Sequence, residues 1–346
     1  MDLLILLFSF VVILVGAELF TNGIEWFGHK MGLSEGAVGS VLAAVGTALP
    51  ETTIPVVAIL FSSDANSSDV GIGAILGAPF MLSTLAFGVT GLVVIAQRKR
   101  RAGGEVLAVD RTVMGVDVRA FAVAYALAIG AAFLPIEPAW PKLVVAAALI
   151  LLYGRYVRNH LAAESSIGSE GLNPLRLDRL DRGSSPEADS PRLRVVSLQV
   201  LLGVGLIVVG AVTFVGAVSD IARTLGVNEV LLALIVAPMA TELPEAFNAI
   251  IWVRQGKDTL AMANISGAMV FQASIATIVA LVFAPAAWTL APGTRIAFAS
   301  AAFAFLSTAA VFVPVYRTGR MRGRHLLVGV AFYILYLGLV AVAAGS

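Results

Sequence analysis

The sequence has no cysteine, only three histidines and few charges, and each scarcity removes a class of function. Without thiols there are no disulfides and no thiolate chemistry, although this leaves the compartment open. His29, His160 and His325 fall at the ends of apolar stretches or in the joints between them, and no metalloprotease or serine-hydrolase motif occurs. No nucleophile and base can be paired inside the apolar stretches, which argues against a membrane enzyme, and no cofactor is expected. A formal net charge of +1 gives no global field to recruit nucleic acid or acidic partners. The opening Met1-Asp2 is followed by apolar residues without a basic segment, so the first stretch is expected to be a retained helix and not a signal peptide.

What is abundant is apolar sequence. Of 346 residues, 59% are hydrophobic and 13% charged, too apolar for a chain surrounded by water. A spanning helix needs roughly 20 apolar residues. Hydropathy predicts ten, near 3–27, 37–62, 70–97, 118–135, 140–160, 195–219, 229–253, 259–284, 295–315 and 325–344. The bilayer is therefore the first expected partner, and the fold class is an all-α integral membrane protein.

Counting joints along the chain, twenty of the twenty-three lysines and arginines fall in odd-numbered joints, and only Lys142, Arg223 and Arg295 in even ones. Basic residues near helix ends favour the cytoplasmic side, which puts the odd joints inside and both termini outside a cell membrane. The one long hydrophilic stretch, 161–194, is rich in serine and mixed charge and reads as a flexible cytoplasmic tether between five helices and five.

The two sets of five are copies. At an offset of 194, Gly16-Ala17 matches Gly210-Ala211, Phe20 matches Phe214, Gly32 matches Gly226, Glu35 matches Glu229 and Ala43 matches Ala237. Thr47-x-Leu49-Pro50-Glu51 matches Thr241-x-Leu243-Pro244-Glu245 at the same offset, and after a four-residue slip Gly77-Ala78 matches Gly267-Ala268. Five helices is an odd number, so the second copy (195–346) enters the membrane from the face opposite to the first (1–160). Such inverted repeats are typical of secondary transporters that bind substrate at the repeat interface.

Each copy sets a proline and a carboxylate inside an apolar helix. Pro50 releases the carbonyl of Gly46 and Pro244 that of Ala240, because proline has no amide hydrogen and its ring displaces the carbonyl four residues back. Freed carbonyls are tolerated in hydrocarbon where they line a polar cavity or meet another partner. A hard cation is such a partner, since calcium takes six to eight oxygen ligands. Glu51 and Glu245 would supply charge as metal ligands, and Thr47 and Thr241, four residues earlier on the same face, hydroxyl oxygens. The competing reading makes the glutamates structural hydrogen-bonders and the prolines mere kinks, but intramembrane carboxylates are costly and this arrangement occurs twice. Glu242 adds a third carboxylate, and three around one small volume cannot all stay ionised without a cation, so proton coupling is chemically available.

Secondary candidates are Ser83, Thr84, Asn248 and Gln272, each able to give oxygen or simply to join helices by hydrogen bonds. Glu18 fits an ion pathway or a pair with a neighbouring segment equally well. Asn264, near the start of the eighth helix, reads as a cap.

Gly46-Thr47-Ala48-Leu49-Pro50-Glu51 and Ala240-Thr241-Glu242-Leu243-Pro244-Glu245 resemble the two Gly-Thr-Ser-Leu-Pro-Glu alpha-repeat signatures of the calcium:cation antiporter superfamily, which includes the sodium/calcium exchangers. The resemblance covers nearly the whole chain. It implies two inverted five-helix repeats, calcium on Glu51 and Glu245 with Thr47 and Thr241 beside them, and sodium or protons as the counter-ion. The chain departs from the family pattern in the third and eighth helices. Gly77-Ala78-Pro79 and Gly267-Ala268-Met269 stand where relatives carry Gly-Ser-Asn or Gly-Ser-Asp, and the motif serines have become Ala48 and Glu242. The function expected is exchange of a divalent cation, calcium before others, for sodium or protons. The alternatives are a carrier of manganese, magnesium or a monovalent ion, and a passive cation channel.

Overall fold

A computed structural model describes residues 2–48, 51–52, 55, 59, 67–163, 172–180, 191–224, 242–291 and 294–345. Eight of its helices are long and apolar enough to cross a membrane. They are α1 (Asp2–Met31), α3 (Gly71–Gln97), α4 (Arg111–Ala131), α5 (Trp140–Leu161), α6 (Leu193–Phe214, continuing to Thr224), α8 (Asp258–Phe283), α9 (Arg295–Thr318) and α10 (Gly323–Val342). Between them lie the shorter α2 (Ala37–Thr47) and α7 (Leu243–Arg254). The predicted helices near 37–62 and 229–253 extend into residues outside the described set. A two-stranded antiparallel ribbon pairs β1 (Val106–Leu107) with β2 (Met321–Arg322).

The helices sort into layers by burial. In α3 and α8, 72% and 78% of the spanning window is buried, against 28% in α1, 22% in α5 and 28% in α10. The outer helices expose large apolar side chains such as Leu4, Phe8, Leu151, Leu201, Ile334 and Val342, as a lipid-facing surface requires. α1 packs along α6, with Gly16, Gly203 and Gly210 so close to the partner backbone that an added Cβ would stand 2.9, 2.8 and 3.2 Å from it.

All five odd-numbered joints meet at one end of the bundle. Arg101, after α3, pairs with Asp258 at the start of α8 at 2.6 Å. Glu25, near the end of α1, holds Lys257 and accepts from Trp252 Nε1 at 2.6 Å. Ser34 donates to the His160 carbonyl at the end of α5, Arg111 to the Gly319 carbonyl, and β1 to β2 ties the α3–α4 joint to the α9–α10 joint. The α4–α5 and α8–α9 joints meet at the other end, where the fully buried Lys142 donates to the carbonyls of Pro285 (2.6 Å) and Trp288 (2.9 Å). The concentration of basic residues in odd joints is thus a concentration at one end of the molecule.

The tether reading of 161–194 needs correction for 172–180, which is docked. Asn22 and Trp26 on α1 donate to the Asn173 carbonyl at 3.3 and 2.8 Å, and Arg176 and Leu177 backbone amides donate to Asn22 Oδ1 and Gln199 Oε1. Leu175 is buried against Trp26, Val195 and Val196. The segment builds no core of its own. It borrows apolar surface and amide side chains from α1 and α6.

Candidate functional site

Helix α2 ends and helix α7 begins at equivalent points of the repeated motif. Ala48 ends α2 with φ −79° and ψ 3°, and Glu242, 194 residues later, precedes α7 with φ −78° and ψ −2°. In α7 the proline of the motif sits in the first turn, where no amide hydrogen is needed and its fixed φ suits the helix. Glu245 is in the same first turn, near the positive end of the α7 dipole. Pro50, Ala240 and Thr241 lie outside the described residues.

The structure brings Glu51, Glu242 and Glu245 together. One carboxylate oxygen from each can be chosen so that all three lie within 4.8 Å of one another, and all three side chains are buried. None of their six oxygens has a hydrogen-bond partner among the described residues. At that spacing two ionised carboxylates repel by about 3 kcal/mol at an effective dielectric of about 20. Buried charges are ordinarily paired or bound to metal, so this triad calls for neutralisation, by protons or by a cation.

Other polar groups surround it unevenly. Thr47 is fully buried beside Glu245, but its hydroxyl points back along α2 and donates to the Ala43 carbonyl at 3.1 Å. It also lies 3.5 Å from Asn264 Oδ1 on α8. Gly46 is the close approach of α1 to α2: a Cβ there would stand 2.9 Å from the Phe20 ring. Asn248, one turn beyond Glu245, is fully buried with both amide atoms unpartnered, and Gln272 Nε2 is likewise buried and unpartnered.

Two secondary candidates make hydrogen bonds along α3 and to α9. Ser83 and Thr84 donate to the Phe80 carbonyl at 3.0 and 2.6 Å, and the Ser83 carbonyl accepts from Ser307 on α9. Glu18 is 41% exposed and pairs with Arg176 of the docked segment at 2.6 Å. Asn264 is a correction: it is seven residues into α8, fully buried and facing Thr47, so it caps nothing.

α3 and α8 carry matching irregularities. Each has a five-residue π-helical turn, Leu82–Ala86 and Gln272–Ala276, separated by the same 190 residues that relate Gly77-Ala78 to Gly267-Ala268. Such π turns are frequent at functional sites. Ser274 in the second turn and Thr277 just after it have buried hydroxyls without partners.

A bundle of membrane-length helices whose interior holds three mutually close, unpaired carboxylates, where α2 ends and α7 begins, has the architecture of a membrane protein with a buried acidic site. The model of the sodium/calcium exchanger protein family matches residues 1–160 and 196–345, and the chain belongs to that family: it is a multi-pass membrane cation antiporter and not an enzyme. Among solved structures it is similar to the sodium-calcium exchanger NCX_Mj soaked with 10 mM Na+ and zero Ca2+, at 16% identity and a TM-score of 0.69, covering 97% of this chain and 98% of that one. It is similar to the same exchanger soaked with 2.5 mM Na+ and 0.1 mM Ca2+, at 16% identity and a TM-score of 0.68, covering 97% of each chain. No curated protein matches the sequence.

Sequence reasoning missed two groups. Asn264 was readable as an amide inside an apolar helix. Asp117, buried in α4, was placed outside the membrane by a predicted start at 118. The structure starts that helix at Arg111, after Asp110 caps it by accepting from the Thr112 and Val113 amides at 2.7 and 3.3 Å.

Proposed function

We propose that the chain exchanges a divalent cation, calcium before others, for protons or sodium by alternating access, and that Glu51, Glu242 and Glu245 hold the cation in turn with its counter-ions. The observation that carries this reading is the buried triad, whose six oxygens have no hydrogen-bond partner among the described residues. A hard divalent ion supplies the charge and takes the oxygens that such a triad offers. The Thr47 hydroxyl and the amide oxygens of Asn264 and Asn248 would serve as neutral ligands, with Gly46, Ala240 and Thr241 adding carbonyl and hydroxyl oxygens by the repeat.

In this reading the chain has ten spans in two inverted repeats, 1–160 and 195–346, joined through a cytoplasmic 161–194. The equivalent helix end at Ala48 and helix start at Glu242, the equivalent π turns in α3 and α8, and the gathering of odd joints at one end all support it. The arginine-rich end is then cytoplasmic and both termini are outside.

Protons are favoured as at least part of the counter-ion. Ala78, Pro79, Ala268 and Met269 offer no side-chain oxygen where relatives carry serine, asparagine or aspartate, whereas Glu242 adds a titratable group. Sodium remains the rival, since Glu51, Glu245 and Thr47 can still hold one ion.

The test is ion uptake into proteoliposomes under a sodium gradient and then a proton gradient. Glu51→Gln and Glu245→Gln should each nearly abolish divalent uptake while folding survives, because a neutral amide is easier to bury than a carboxylate. Parental rates in both variants would make these glutamates structural. Flux that persists with no counter-ion gradient would make the chain a channel.

A further inference from the structure

Asp117 lies outside the triad and nothing above uses it. Its side chain is completely buried on α4, yet it is the most heavily bonded carboxylate among the described residues. Ser40 on α2 donates to Oδ2 at 2.8 Å and Ser266 on α8 to the same oxygen at 2.6 Å. Tyr156 and His160, both on α5, meet Oδ1 at 3.0 and 2.8 Å. The Tyr156 hydroxyl is also 3.1 Å from the Ser40 carbonyl. Four groups from three helices thus converge on two oxygens, which suits the acceptor-only form of a carboxylate.

This convergence spans the tightest helix contact near the site. A Cβ on Gly267 would stand 2.2 Å from the Ser40 carbonyl oxygen, and one on Gly39 would stand 2.7 Å from Ala263 Cβ, so α2 and α8 touch backbone to backbone here. Asp117 reaches both sides of that contact, taking Ser40 from α2 and Ser266, the neighbour of Gly267, from α8. Seven residues beyond Ser40, past the π-helical stretch Ala37–Ala43, is Thr47, which meets Asn264 of α8 at 3.5 Å. The second half has no equivalent: α9, the repeat partner of α4, contains no aspartate, glutamate or histidine. The fold itself therefore does not demand a carboxylate at this position.

We propose that Asp117 is a positioning residue for cation binding, a brace that fixes α2 against α8 so that Thr47 and Asn264 are held together beside the triad. It touches no transported ion. It acts through Ser40 and Ser266, and the groups that meet its other oxygen, Tyr156 and His160, help a carboxylate to be buried there. This inference rests on the transport reading above.

The experiment measures calcium uptake in proteoliposomes, separating half-saturating concentration from maximal rate, together with the thermal midpoint of the purified protein with and without calcium. In Asp117→Asn the amide turns a donor toward groups that already donate, so at least one charge-assisted bond is lost. The half-saturating concentration should rise about ten-fold while the maximal rate stays within about two-fold, and the calcium-induced rise in midpoint should shrink accordingly. Ser266→Ala and Tyr156→Phe, which each remove one donor and fold more readily, should shift half-saturation in the same direction by less, and neither should add fully to Asp117→Asn. Midpoints lowered equally with and without calcium, at parental half-saturation in every variant that folds, would overturn the brace. The two readings fail differently: a parental chain without saturable cation flux sinks the transport reading, and parental half-saturation in Ser266→Ala and Tyr156→Phe sinks the brace alone.

Discussion

Replacing Gly267 by alanine adds a single methyl group at the point where α2 and α8 meet. The new Cβ would lie 2.2 Å from the Ser40 oxygen, 2.5 Å from its Cα and 2.6 Å from its carbonyl carbon. All three are backbone atoms, so no side-chain rotation relieves the clash. Reaching even the 3.0 Å below which real Cβ atoms essentially never fall requires the helices to part by about 0.8 Å. Overpacking of this kind costs about 1–3 kcal/mol, and a contact with rigid backbone on both sides belongs at the upper end. At roughly 2 °C per kcal/mol for a large domain, the midpoint should fall by about 5 °C. Function should fall further, because a gap that opens at Ser40 also opens between Thr47 and Asn264. Intrinsic fluorescence can follow the unfolding, since Trp252 and Trp288 are fully buried. Gly154→Ala on α5 is the control: its added Cβ meets nothing within 4 Å among the described residues, and stability should hold or rise slightly. A Gly267→Ala variant with parental midpoint and parental uptake would refute the close packing of α2 on α8 on which the site depends.

Two further outcomes bear on coupling and orientation. Without sodium, Glu242→Ser should transport with a flatter pH profile than the parent, having lost the extra group that must be neutralised; identical profiles, with uptake driven only by sodium, would end the proton proposal. Because the chain has no cysteine, single cysteines at Ser185 and Ser346 can be labelled with an impermeant maleimide, and they should report opposite sides of the membrane. Labelling from the same side would break the inverted ten-span arrangement.

Which parts were legible follows from the range of the forces involved. Helix positions are set by hydropathy over about 20 residues, a local property, and eight of the ten predicted stretches match long helices within a few residues, except at the start of α4. The triad was legible because an internal repeat placed Glu51 and Glu245 in equivalent positions, which is long-range information written into the chain twice. Asp117 has no such copy. Its value comes from Ser40, Tyr156, His160 and Ser266, which are scattered over 227 positions of sequence and meet only in the fold. The docking of 172–180 was hidden for the same reason, because its partners Asn22, Trp26 and Gln199 are scattered over two helices and meet it only in the fold. Asn264 was misjudged by depth: seven residues into a helix is about 10 Å from its start, beyond the reach of a cap.

The two copies of the motif differ in charge, and that difference bears on what the proposed site can exchange. Ala48 and Glu242 occupy equivalent positions with nearly identical dihedral angles, so the extra carboxylate costs the backbone nothing. At the corresponding places in α3 and α8 the chain has Ala78-Pro79 and Ala268-Met269, which cannot donate oxygen from their side chains. A monovalent ion that loses its hydration shell needs several neutral oxygens more than it needs charge, whereas a proton needs only a carboxylate. A divalent ion needs both, and three carboxylates within 4.8 Å supply the charge in excess. An exchanger with this composition therefore gains from a partner that can neutralise the surplus carboxylate one unit at a time. In that arrangement the first motif would offer one carboxylate, Glu51, and the second two, Glu242 and Glu245, so the proposed proton step would fall to the second.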